Sequence, residues 1–222
     1  MIETPPNWGE DNLSEFLDTA FRYNLKHFES NFKHFDGLQK LDAEIRRMTN
    51  ITKIIDMDVA FPTFLLLRSH AAFLGATRLV LSGQIPEAYM VMRGCLESAL
   101  YAHYLKNNPG IAQLYLSRHD DASTRKAFRK NFPAYNTMRD ALIQEDEKTG
   151  EALSDLYEIT IDFGAHPNSP MLAFSYTSEI GYAGQKYLDN HGNAFEICLA
   201  CCKRVGMCSI LIYRLIYPST VE

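Results

Sequence analysis

Along most of the chain the apolar residues recur every three or four positions, the spacing of one face of an α-helix. Between Leu13 and Phe35, the residues Phe16, Leu17, Ala20, Tyr23, Leu25, Phe28, Phe32 and Phe35 form an aromatic stripe with Asp, Lys and Glu between its members. That pattern predicts an amphipathic helix laid on a core. Asp36-Gly37 is a turn pair and predicts where that helix ends. A second helix is expected from about 38 to 57, carried by Leu41, Ile45, Met48, Ile51, Ile54 and Ile55.

Two more apolar segments follow and predict the centre of the fold. "FPTFLLLRSHAAFLGATRLVLSG" has Pro62 where a first helical turn tolerates it and Gly83 where a helix stops. "IPEAYMVMRGCLESALYAHYLKNNPG" opens at Pro86 and closes at Asn108-Pro109-Gly110. Shorter helices are expected over 110–118, 122–131, 133–147 and 150–165, with Asp121 or Ser123 capping the second and Thr149-Gly150 separating the last two. From 168 to 190 the helical period gives way to Ser, Pro, Gly, Tyr and Thr, which predicts an irregular excursion or a small hairpin with strands near 172–177 and 183–188. A nearly all-apolar helix is expected from about 194 to 217, stopped by Pro218. Gly75, Gly94 and Gly206 fall in the middle of the three most apolar helices. Each costs about 1 kcal/mol relative to Ala, so close helix crossings are expected there.

These elements predict an all-α fold: a single helical bundle of about eight helices. Amphipathic helices would occupy 1–58, central helices 61–166, the excursion 168–190 and a buried C-terminal helix 194–217, with no repeat or linker dividing them.

Composition changes this picture in three places. With 222 residues and 46% hydrophobic content the chain can bury a core without a staple. A net charge of −5 offers no global attraction to nucleic acid or an anionic membrane. The opening residues lack a basic region followed by an apolar core, so no secretory signal and a cytoplasmic location are expected. Four of the five cysteines crowd between Cys198 and Cys208, which predicts free buried thiols rather than disulfides. Arg68, His70 and Arg78 favour a buried helix over a membrane span at 62–83, since a span needs about 20 nearly uncharged residues.

Candidate chemistry is sparse. Asp162-Phe163-Gly164 spells the metal-binding letters of kinases, but the Gly-rich loop, strand Lys and catalytic loop that kinases need are missing. Cys198-x-x-Cys201-Cys202 continues to Val205 at i, i+3, i+4 and i+7, the spacing of a core face, so neither a metal nor a cofactor is expected. "TRKAFRKNF" sets Arg125, Lys126, Arg129 and Lys130 one turn apart around Phe128 and Phe132. These cations could contact phosphates while the rings stack on bases; alternatively they are a solvated face with both rings turned inward. Arg93 and Glu97 stand one turn apart, in the weaker order for a surface pair. Asp162 and His166 are also one turn apart, at a helix end where the dipole favours imidazolium and where Pro167 pushes His166 out of helical geometry. Either Arg93, Glu97, Asp162 and His166 converge in one polar pocket, or they form two ion pairs that tie helices together. His70 and His103 lie on apolar faces and read as core histidines with one hydrogen bond each.

From Arg68 onward the order of features resembles a group of bacterial all-helical proteins similar to a distant branch of the HEPN superfamily. "MRGCLESALYAHYL", with its Arg-x-x-x-Glu pair, and "LYEITIDFGAHPN", a helix ending in His-Pro, carry the resemblance over about 61–170. Ribonucleases of that superfamily place Arg, four to six residues and then His on one helix. The resemblance implies a metal-independent cleavage across a dimer interface, in which His acts on the 2′-hydroxyl or the leaving group and Arg stabilises phosphate charge. Arg93 has no His in that window; Arg22-Tyr-Asn-Leu-Lys-His27 has the spacing, as about one pair in a chain of this composition would by chance. The expectations that follow are a homo-oligomer, without a membrane, that binds a small ligand or a partner, or else a HEPN-like ribonuclease of a stress or phage-defence system acting on RNA. Arg93, Glu97 and His166 are its candidate catalytic residues, and Asp162, Arg125, Lys126, Arg129 and Lys130 its candidate binding residues.

Overall fold

A computed structural model of the chain describes residues 4–30, 32–52, 56–165, 169, 176–179, 182–189 and 192–220. The fold is an all-α bundle. Its helices are α1 (Asn12–Ser30), α2 (Phe32–Ile51), α3 (Met57–Ser82), α4 (Ile85–Lys106), α5 (Pro109–Leu116), α6 (Ala122–Asn131), α7 (Tyr135–Glu145), α8 (Glu147–Thr160) and α9 (Asn193–Ile216). Ile161–Ala165 prolongs α8 as a π-turn, and a two-stranded antiparallel hairpin, β1 (Tyr176–Glu179) and β2 (Tyr182–Gln185), pairs Tyr176 with Gln185 and Glu179 with Tyr182.

The core sits where the antiparallel pair α3–α4 meets α9. Phe73, Ala76 and Val80 of α3, Met92, Leu96, Ala99 and Leu100 of α4, and Cys202, Val205 and Ile212 of α9 are all essentially without solvent contact. Leu41, Ile45 and Met48 bring α2 onto this centre, while Met138, Leu142, Leu153 and Leu156 bring α7 and α8. Burying one such side chain stabilises the fold by about 1.5–3 kcal/mol. Within the described residues Ala60–Ser82 of α3 is also long and apolar enough to cross a membrane by length and composition; here one flank of it packs against α4 and α9 and His70 is paired with Asp42 of α2.

Local chemistry explains the boundaries. Gly83 has φ 85°, and Gly83 N–H and Gln84 N–H donate to the carbonyls of Val80 and Leu79. This is a Schellman turn, which needs the left-handed geometry that glycine supplies. Asp121 accepts from Thr124 N–H and closes a capping box on α6. Asp146 caps α8 by accepting from Thr149 N–H, so the α7–α8 break lies at Asp146 rather than at Thr149-Gly150. Gly150 lies inside α8, where an added Cβ would come within 2.8 Å of the Ile143 backbone.

Three expectations shift. Helix α2 runs straight through Asp36-Gly37, because Asp36 pairs with Lys40 one turn on and Gly37 leaves room for the Lys203 stem; the break between the first two helices falls at 30–32. Pro62 lies inside α3, one turn after it starts, rather than at its first turn. The mid-helix glycines divide. At Gly206 an added Cβ would come 2.7 Å from Phe73 Cε2, which marks a close crossing of α9 with α3, whereas one at Gly75 would make only ordinary contact with Val91 and one at Gly94 would face open space. Since nothing occupies the place of a Cβ at Gly94, Gly94→Ala is expected to stabilise the chain by about 1 kcal/mol, raising Tm by about 2–4 °C in a thermal melt followed by circular dichroism.

Candidate functional site

Arg93 and Glu97 do form a joint site, and a residue that the sequence does not single out completes it. Both project from the same side of α4 toward α8. Arg93 Nε donates to Glu97 Oε1 at 2.9 Å, Arg93 Nη2 donates to the Tyr157 hydroxyl at 2.9 Å, and that hydroxyl donates to Glu97 Oε1 at 3.1 Å. Each member therefore holds the other two, and Arg and Glu cancel in charge. Burial works against the Arg93 charge, but the Glu97 hydrogen bond and the Tyr157 phenol outweigh it and hold the guanidinium pKa above its ordinary value. Burial, and then the Glu97 carboxylate, push the Tyr157 phenol up as well, so it stays a donor. Arg93 and Glu97 keep 29% and 36% of their side-chain surface exposed, so the triad opens to solvent.

Aromatic rings fix this triad from below. Tyr157 stacks on Tyr135 of α7 with centroids 3.9 Å apart and planes 13° apart. The Tyr135 hydroxyl is buried and makes no hydrogen bond among the described residues, and burial pushes its pKa up. Tyr101, one turn beyond Glu97 on α4, packs against Phe132 and Tyr115, which also take in Phe128 from α6 and the Arg118 guanidinium over the Tyr115 ring at 4.1 Å. The signal for Tyr157 is faint in the sequence: one of 12 tyrosines, on a different helix, 60 residues from Glu97.

The remaining predicted residues lie elsewhere. His166 and Pro167 lie outside the described residues. Asp162 is exposed on the π-turn and forms no ion pair with Arg93, whose carboxylate partner is Glu97. Arg125, Lys126, Arg129 and Lys130 are exposed on α6 with no carboxylate partner among the described residues, while Phe128 and Phe132 turn inward. His70 Nε2 is 2.7 Å from Asp42 and His103 Nε2 is 2.8 Å from Glu145, so each core histidine ties two helices together through a carboxylate. Arg22 is exposed beside Asp18 while His27 is buried on the Phe195 ring, so the pair with ribonuclease-like spacing does not face one place. All five cysteines are free and buried. Among the described residues no three His, Cys, Asp or Glu side chains converge as a metal-ligand set.

A second kind of surface is more extensive. Leu13, Leu17, Phe21 and Leu25, at successive i+4 positions, are exposed on α1, and Phe64, Leu67 and Leu74 are exposed on α3. Phe21 leaves 62% and Phe64 53% of its surface in solvent. Leu17, Phe21 and Asn24 of α1 share a groove of about 670 Å³ with Gly75 and Arg78 of α3, so the two helices that carry these rows are neighbours. No protein-family model matches the chain, and searches of the curated proteins and of the solved structures return no significant match.

Proposed function

We propose that the protein is a soluble helical module that dimerises through the α1–α3 face and binds a ligand or partner, with Arg93–Glu97–Tyr157 as a polar centre on α4 and α8. The observation that carries this reading is the double row of large apolar side chains at helical spacing on the outer side of α1 and α3. Single exposed apolar residues are ordinary, but a contiguous row on two adjacent helices marks an interaction surface. A second copy fits it because an isologous contact pairs apolar row with apolar row. The expected outcome for Leu67→Glu combined with Leu74→Glu is a monomer with wild-type helicity, read by light scattering and circular dichroism. Both positions are exposed, so the folded monomer tolerates the charges while a dry interface does not.

One observation favours a second reading, a HEPN-like metal-independent ribonuclease. The four exposed cations of α6 stand beside the aromatic cluster that reaches Tyr101 and the triad, an arrangement that suits a phosphate backbone. In that reading Arg93 stabilises phosphate charge and His166 moves the proton. RNA cleavage in the presence of a chelator tests it: wild type should cleave while Arg93→Ala and His166→Ala lose activity. Equal rates for all three remove it.

A further inference from the structure

A cavity of about 530 Å³ opens between α2 and α9, away from both the triad and the α1–α3 face. Its volume lies in the range of small-molecule sites. Lys40 comes from α2, and Lys203, Arg204 and Arg214 come from α9; Leu41, Met207 and Ile210 form an apolar floor. Four cations converge here on a chain whose net charge is −5. Glu44 is the one carboxylate in the lining. It is fully engaged: Oε1 accepts from Arg47 Nη2 and Arg214 Nη2, each at 2.9 Å, and Oε2 accepts from Arg47 Nε at 2.8 Å. Arg47, outside the lining, thus offsets the Glu44 charge, and Asp36 pairs with Lys40 at the edge. Arg204 has no carboxylate partner among the described residues, so positive charge at the cavity survives these pairings.

Two details make this more than a basic patch. Gly37 sits mid-helix in α2 with the Lys203 stem packed over it, an added Cβ coming to ordinary contact at 3.4 Å from Lys203 Cε, so the stem lies along the cavity wall. Arg214 is incompletely satisfied: Nη2 serves Glu44, while its Nε is buried and has no acceptor among the described residues. A buried donor without an acceptor costs about 1–3 kcal/mol, and such a group is an observation that calls for a partner. An acceptor placed in the cavity lets the guanidinium turn and share itself between Glu44 and the newcomer.

We infer that the α2–α9 cavity is a binding site for a small organic anion, an apolar body with a phosphate or carboxylate group, held by Lys203, Arg204 and Arg214 with its body on Leu41, Met207 and Ile210. The two parts of the lining demand both parts of the ligand. Inorganic phosphate alone would leave the floor uncovered, and a neutral apolar molecule would leave the Arg204 guanidinium without an anion.

Phenyl phosphate, inorganic phosphate and phenol, titrated separately into the full chain carrying ¹³C-methyl methionine, test this. Met207, recognised by the resonance that Met207→Leu removes, reports the cavity. Phenyl phosphate should shift that resonance saturably and bind at least tenfold more tightly than phenol or inorganic phosphate. Arg204→Gln with Lys203→Gln, exposed and half-exposed positions whose folding is checked by circular dichroism, should weaken phenyl phosphate about tenfold or more, the loss of one or more charge-assisted contacts. Equal affinity in wild type and variant, equal affinity for phenol, or saturation without a Met207 shift overturns the assignment. Binding of polyglutamate at Met207 with tenfold higher affinity per chain than phenyl phosphate also overturns it, in favour of an acidic protein partner.

Discussion

Raising the pH from 8 to 10 is expected to remove about 4 kcal/mol of folding stability through three buried thiols alone. Burial pushes Cys201 up from 9.0 to about 11, and Cys202 and Cys208 to about 12. The folded state therefore keeps these protons through pH 10 while the unfolded state releases them above its own value near 9. Between those limits the unfolded chain binds fewer protons, so stability falls as pH rises. At pH 10 each thiol contributes a loss of about 1.4 kcal/mol, the worth of one pKa unit, and the three sum to about 4. Cys95 and Cys198 move in the same direction for the same reason and add to the loss. A typical domain has only about 5–15 kcal/mol to lose. Urea unfolding at pH 8 and pH 10 reads the difference directly, and Cys202→Ala should remove one thiol's share of it. Equal stability at the two pH values contradicts this account of the α9 thiols.

Gly164→Ala is expected to destabilise the fold by about 3 kcal/mol, through overpacking against atoms that have little freedom to move. Its Cβ would lie 2.6 Å from Tyr89 Cβ, 2.7 Å from the Pro86 carbonyl oxygen and 2.8 Å from the Met90 nitrogen. Two of these three atoms are backbone of α4, and Tyr89 is itself fully buried, so relief requires the π-turn to lift off the first turn of α4. The Tm should fall by about 6–12 °C. Gly206→Ala meets mainly the Phe73 ring, a side chain that can tilt, and should cost less. A melt in which Gly164→Ala matches wild type removes the close approach of the π-turn to α4.

The fold class was legible because the apolar period is strong: α2, α3, α4 and α9 each have a stripe whose buried members, such as Leu41, Ile45 and Met48 or Met92, Leu96 and Ala99, recur at helical spacing. Breaks were less legible, because they depend on contacts outside the local window. Asp36-Gly37 reads as a turn, yet the Lys40 pair and the Lys203 stem keep it helical. Gly150 reads as a separator, yet it is the close-packing residue of a helix that Asp146 has already begun. The hairpin was legible as a loss of period; its described strands are Tyr176–Glu179 and Tyr182–Gln185, and residues 172–175 of the first predicted strand lie outside the described residues.

The candidate site divides in the same way. Arg93 and Glu97 could be paired from spacing alone, since they share a helix. Tyr157 could not, because only the packing of α8 on α4 brings its hydroxyl to them. The four cations of the α2–α9 cavity are split between residues 40 and 203–214, and no local pattern links them. Of the stripe predicted on α1, Ala20 faces the bundle while Leu17, Leu25 and Phe28 face outward, and Leu13 and Phe21, outside that stripe, are exposed beside them. An amphipathic pattern identifies an apolar face but does not say whether the core or another molecule covers it.

That last ambiguity is what sedimentation equilibrium of the wild-type chain resolves. Over a concentration series into the tens of micromolar, the proposed α1–α3 dimer predicts a mass of twice the 25.3 kDa chain, reverting to the single-chain mass for Leu67→Glu with Leu74→Glu. A wild-type chain that stays at its single-chain mass throughout the series, or a double variant that remains dimeric, contradicts it.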